Sequence, residues 1–179
     1  MYVNKSKLPQ FNPAVLPKEY VPVARDNNDE KHPRHYLTPG KLFATREPAA
    51  IVSIAGSGVV LCICDSLAGV GGVANFLLPE DIGGEPNAKF GGHASRQLLK
   101  EVLALGADPN RLQARIFGGS EPPTTFSSSY ESLGQRNVRV AVQFLTTEGI
   151  RLVDQQTGGA SGRRVIFHTD DGTAWVQKL

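Results

Sequence analysis

The chain has 179 residues, 40% hydrophobic and 20% charged, with a net charge of +2 at neutral pH. That length fits one domain with an extension, and that composition sustains a buried core. Near-neutral charge without a long Lys/Arg cluster argues against a dedicated nucleic-acid binder, and no apolar run approaches the ~20 residues that span a bilayer. The opening residues, MYVNKSKLPQFNP, lack the apolar core of a signal peptide. Cys62 and Cys64, two apart on one predicted strand, are badly placed for a disulfide, which fits a reducing cytoplasm. They also lack the companion ligands of a zinc site, so no metal is expected.

Residues 1–36 carry five of the twelve prolines and the polar run Arg25–Arg34, RDNNDEKHPR. Proline removes backbone donors and restricts helices, so this part reads as an extended arm, with His32 and His35 in solvent. Residues 37–179 form the folded domain. A Pro-Gly turn and a short apolar strand in YLTPGKLFA lead to three strands, Ala50–Ala55, Val59–Asp65 and Val70–Leu78. Their nearly continuous apolar character predicts burial on both faces. Residues 90–105 place Ala94, Leu98, Val102 and Leu105 on one helical face, and Gly106 stops the helix. Ala114–Phe117 is a short strand. A second helix runs from Ser132 to Thr147 with Val138, Ala141, Val142 and Leu145 on one face, ending at Gly149. Strands at Ile150–Gln155, Arg164–His168 and Thr173–Gln177 alternate with the turns TGGASG and TDDG. The order of elements predicts an α+β domain, a mixed sheet or sandwich flanked by helices.

Several motifs fall short of a chemical site. None of the glycine clusters completes G-x-G-x-x-G before a helix or precedes the Lys-Ser/Thr of a phosphate loop, so they read as turns. Ser57, on the turn between two strands, lacks the last glycine of G-x-S-x-G, and no spacing selects a histidine as its base. Cys62 and Cys64 lie in mid-strand and read as small apolar filler. Asp170-Asp171 is a turn.

Several segments in order nevertheless resemble one family. HYLTPGKLFA at 35–44, GSGVVLCICD at 56–65, GVGGVANFLLP at 69–79, KFGGHASRQLLKEVLALGA at 89–107, LQARIFGGS at 112–120, LGQRNV at 133–138 and TGGASGRRVIF at 157–167 are similar to the chemoreceptor glutamine deamidases of bacterial chemotaxis, the CheD family. The resemblance runs from His35 to Leu179 and implies a CheD-like fold. It implies hydrolysis of receptor glutamines, and in some members of methyl esters, by a cysteine nucleophile, a histidine base and a threonine without cofactor. Those three positions fall on Gly58, Asn75 and Val52, with Ser53 the hydroxyl beside the last.

Glycine has no atom with which to attack an amide, and a neutral asparagine cannot take a proton as imidazole does. The resemblance therefore implies a catalytically silent, cytoplasmic protein that acts by binding chemoreceptor cytoplasmic helices or a CheC-like phosphatase, with Ser53, Ser57, Gly58 and Asn75 as cleft candidates. The competing expectation is an active deamidase with a relocated nucleophile, Ser57 or Cys62. Cys62 stands ~13 Å along the strand from Gly58. A third expectation is a small-ligand site in space left open at Gly58.

Overall fold

A computed structural model describes residues 32–80, 87–121 and 131–179. The expected arm at residues 1–31 lies outside the described residues. Its expected boundary at residue 36 does not hold, because Arg34–Leu37 is strand β1. The remaining strands are β2 (Lys41–Thr45), β3 (Ala50–Ala55), β4 (Val59–Asp65), β5 (Val70–Phe76), β6 (Gln113–Gly118), β7 (Arg151–Thr157), β8 (Arg163–His168) and β9 (Ala174–Lys178). The helices are α1 (Gly91–Ala104) and α2 (Leu133–Glu148).

Two mixed sheets stack as a sandwich. One has the order β1-β3-β8-β9 and the other β2-β5-β4-β6-β7. The pairs β1–β3 and β6–β7 are parallel, and the rest are antiparallel. Strand β4 shows how the sequence specifies the layers. Its side chains alternate, so Val59, Leu61 and Ile63 face Ala94, Leu98 and Val102 of α1 and Ala141 and Leu145 of α2. Val60, Cys62 and Cys64 face the other way, against Ile51, Val165 and Phe167 of the four-stranded sheet. A strand covered on both sides needs an unbroken apolar run, and VVLCIC supplies it. Both helices lie on the outer side of the five-stranded sheet rather than on both flanks of the sandwich.

Helix α2 begins with a capping box: Ser132 Oγ accepts from the Gln135 N–H, while Gln135 caps the Ser132 N–H in return. Its N-terminal turn lies hard against the loop after β6. A Cβ on Gly134 would stand 2.5 Å from the Gly119 carbonyl oxygen, so only glycine permits that approach.

At the far end of β4, Asp65 is a buried carboxylate that accepts five hydrogen bonds. The N–H groups of Leu67, Ala68 and Asp108 and the Nε and Nη2 of Arg111 donate to it. The Arg111 guanidinium chiefly, helped by these backbone donors, lowers its pKa to about 2.

His32 is buried rather than solvated. Its ring stacks on His168 with centroids 4.7 Å apart, and its Nε2 lies 3.0 Å from Asp170 Oδ2. His35 is exposed, as expected, and stacks on Phe43.

Candidate functional site

The turn Gly56-Ser57-Gly58 joins β3 to β4 and passes from one sheet to the other. All three of its carbonyls are held. The Ser120 N–H donates to Gly56 O at 2.8 Å and the Gly119 N–H to Gly58 O at 2.7 Å. Asn137 of α2 donates through Nδ2 to Ser57 O at 2.8 Å and to Leu77 O at 2.9 Å. Carbonyls only accept, so the amide nitrogen must face both of them. One buried side chain thus ties the turn to the segment leaving β5. Asn137 lies in LGQRNV, a motif noted in the sequence, but nothing there assigned it this partner 80 residues away.

Gly58 is buried, and the direction a side chain would take is closed. A Cβ there would stand 2.6 Å from the Phe76 carbonyl oxygen and 3.6 Å from Leu77 Cα. The expected open space at Gly58 is therefore absent; backbone fills it. Ser57 beside it is half-buried.

Asn75, in β5, is fully buried. Its Nδ2 donates to Ser53 Oγ at 2.8 Å and to Ile54 O at 2.9 Å, and Ser53 Oγ in turn donates to Leu37 O at 2.8 Å. The Gly40 N–H donates to Asn75 O at 2.7 Å. These bonds link β5 to β3 and β1, so a polar chain crosses between the sheets. Asn75 Oδ1 and Asn137 Oδ1 are buried and find no hydrogen-bond donor among the described residues.

Val52 does not belong to this group. It points to the outer face of its sheet with Ala50 and Ile166, opposite Ser53. The hydroxyl that meets residue 75 is that of Ser53, the cleft candidate beside Val52. The structure therefore brings together Ser53 and Asn75 between the sheets, and Ser57 and Gly58 at the turn. It leaves Val52 out.

Cys62 lies between the sheets, 1% exposed. Burial pushes its thiol well above the ordinary value, and the neighbouring Cys64 pushes it further. Burial also raises Cys64, against the pull of Arg115. Neither thiol is poised as a nucleophile. Among the imidazoles, His32 and His168 stack on each other by the four-stranded sheet, and His93 sits in the first turn of α1. Among the described residues no three His, Cys, Asp or Glu side chains gather as metal ligands, and no helix is long and apolar enough to cross a membrane.

Chemically, Ser53, Asn75 and Asn137 are all neutral; each asparagine leaves a buried amide oxygen as an acceptor, and the Ser53 hydroxyl proton is committed to Leu37 O.

The family model for CheD chemotactic sensory transduction matches residues 77–178. A probable chemoreceptor glutamine deamidase of Anaeromyxobacter dehalogenans is 42% identical over 144 residues, covering 80% of this chain and 84% of its own. Probable chemoreceptor glutamine deamidases of Halorhodospira halophila and Rhodospirillum rubrum are 35% and 32% identical. The first match covers 80% of this chain and 68% of the relative, the second 82% and 83%. A solved Neisseria meningitidis protein of the DUF152 family overlays with a TM-score of 0.45 at 12% identity, over 74% of this chain and 66% of its own, too distant to inform the site. By the family model and the extent of these matches, the chain belongs to the CheD family.

Proposed function

We propose that this protein recognises a chemoreceptor without hydrolysing its glutamines. The observation that carries the proposal is the closed position at Gly58: no side-chain atom is present there, and the Phe76 carbonyl occupies the direction such an atom would take. Asn75 supports the same conclusion, because its nitrogen is bound to a carbonyl that only accepts and its oxygen cannot serve as a base near neutral pH. Recognition uses different residues from chemistry, so a family scaffold can keep its partner after losing its reaction. The relatives' printed names make a chemoreceptor the first partner to test. A CheC-like protein, which would compete for the same surface, is the second.

The relatives are named as probable deamidases, which favours a second reading, deamidation by this chain, and with Gly58 at the nucleophile position that reading needs a relocated nucleophile. Of the two candidates, half-buried Ser57 is the better placed. Cys62 is sealed between the sheets with a raised thiol pKa.

One experiment separates the readings. The full chain is incubated with chemoreceptor cytoplasmic fragments; glutamine-to-glutamate conversion is followed by mass spectrometry and binding by calorimetry. Binding without conversion is the expected outcome. Conversion that disappears in Ser57→Ala would establish the second reading, and absence of both binding and conversion would remove the receptor from the proposal.

A further inference from the structure

The outer face of the four-stranded sheet is largely apolar: Ala50, Val52 and Ile166 are buried on it, and larger apolar side chains around them are exposed. Alternation along the strands turns Tyr36 of β1, Val52 and Ile54 of β3, Ile166 of β8 and Trp175 of β9 to this side. Tyr36, Ile54 and Trp175 are 71%, 52% and 51% exposed. A groove of about 620 Å³ runs along it, floored by Val52 and Ile54 and rimmed by the cations of Arg164 and Lys178. An apolar patch of this kind on a folded domain marks a contact surface.

The chain itself arrives at this face. His168 is the outward neighbour of Ile166 on β8, and the His32 ring is stacked upon it and held by Asp170. The Pro33 carbonyl accepts from the Ala50 N–H at the start of β3. Thirty-one residues precede this anchor, and within them residues 14–23, AVLPKEYVPV, are the most apolar. We propose that residues 14–23 of the same chain occupy the groove.

Reach and apolar character suit this occupant. The polar run from Ala24 to Lys31 separates Val23 from the anchor and can extend ~30 Å. The face from Ala50 to Ile54 is only ~13 Å long. Two prolines, at 17 and 22, leave the segment fewer backbone conformations to lose on binding. Val15, Leu16, Tyr20, Val21 and Val23 suit the apolar floor. A tethered segment is also presented at an effective concentration of ~1 mM, which an untethered partner must exceed. Leu37 and Ser53 line the same groove, so its occupant lies against the strands that hold Asn75 from the other side.

Trp175, the only tryptophan of the chain, lies outside the groove's lining but on the same face, paired with Ile166, and reports on what covers that face. In the full-length protein, Val21→Asp with Val23→Asp is expected to shift Trp175 emission to the red and to increase its quenching by acrylamide. Asn27→Ser with Asn28→Ser, in the polar run, is expected to change neither. In a second full-length variant, Val21→Cys with Ile54→Cys, oxidation is expected to form a disulfide within one chain at a yield independent of protein concentration. The buried native thiols should not compete for it. Unchanged tryptophan signals together with no cross-link would overturn the proposal. So would a cross-link formed only between chains, which would put a second copy in the groove.

Discussion

The two ends of β4 put buried polar groups to opposite uses. At Asp65, five donors converge on one carboxylate and no oxygen is left wanting. At the Gly58 end, Asn137 and Asn75 each donate twice, yet each keeps an amide oxygen without a donor among the described residues. Full satisfaction is what a stability device needs, whereas a buried acceptor left over costs free energy. The contrast lies within one strand of seven residues, so it does not reflect a general difference in packing.

The largest expected effect comes from breaking the satisfied end. Asp65→Ala strands three backbone donors and the Arg111 fork, and should cost about 3 kcal/mol in urea denaturation. The pH dependence has a definite sign. Because the folded pKa of Asp65 is lowered to about 2, its contribution is complete above the ordinary carboxylate value of 3.8 and is lost as pH falls from there toward 2. The wild-type protein should therefore lose stability over that window more steeply than Asp65→Ala.

Asn75→Asp tests the other end with the reverse sign. An ionised carboxylate at position 75 would face the Ile54 carbonyl with no proton to donate, a loss of about 2 kcal/mol near neutral pH. Burial raises the pKa of such an acid, so the penalty should shrink as pH falls and the protonated form donates again. Thermal denaturation at pH 4 and pH 7 checks this. Equal losses at both values would mean that water reaches the site.

Gly58→Cys comes next. The new Cβ must move the Phe76 carbonyl or the start of β4, at a cost of about 1–2 kcal/mol by urea denaturation. A variant as stable as the parent would show that the turn gives way easily and would weaken the steric part of the functional proposal. Restoring chemistry would in any case require more than this thiol, because Asn75 remains no base.

The strands and helices were largely legible in the sequence, and the two ends of β4 were not. VVLCIC reads as a doubly buried strand because each residue needs an apolar neighbour on whichever side it faces, and that need shows in residue type alone. The helices were legible through their apolar periodicity and their glycine stops. The clamp from Asn137 to Ser57 spans 80 residues and the Arg111–Asp65 fork 46, and neither leaves a local pattern. His32 looked solvated because its neighbours in sequence are polar, while its partners lie near the other end of the chain. At Gly58 the missing side chain was evident, but the Phe76 carbonyl that fills its place was not.

The smallest expected effect bears most directly on how the site is placed. The resemblance puts the family's threonine position at Val52, while the structure sets the neighbouring Ser53 against Asn75 and turns Val52 to the opposite face. Ser53→Ala removes the donor to Leu37 O and the acceptor of one Asn75 N–H, and should cost about 1 kcal/mol. Val52→Thr puts a hydroxyl into an apolar outer cluster and should also lose about 1 kcal/mol, for a different reason. Denaturation of the single variants therefore cannot distinguish the two placements, but their coupling to Asn75→Ala can. Ser53 and Asn75 share a hydrogen bond, so the double variant should fall short of additivity by at least about 0.5 kcal/mol. Val52 shares none with it, and that pair should add. Coupling at Val52 rather than at Ser53 would return the site to the strand's other face and undo the distinction between the two ends of β4.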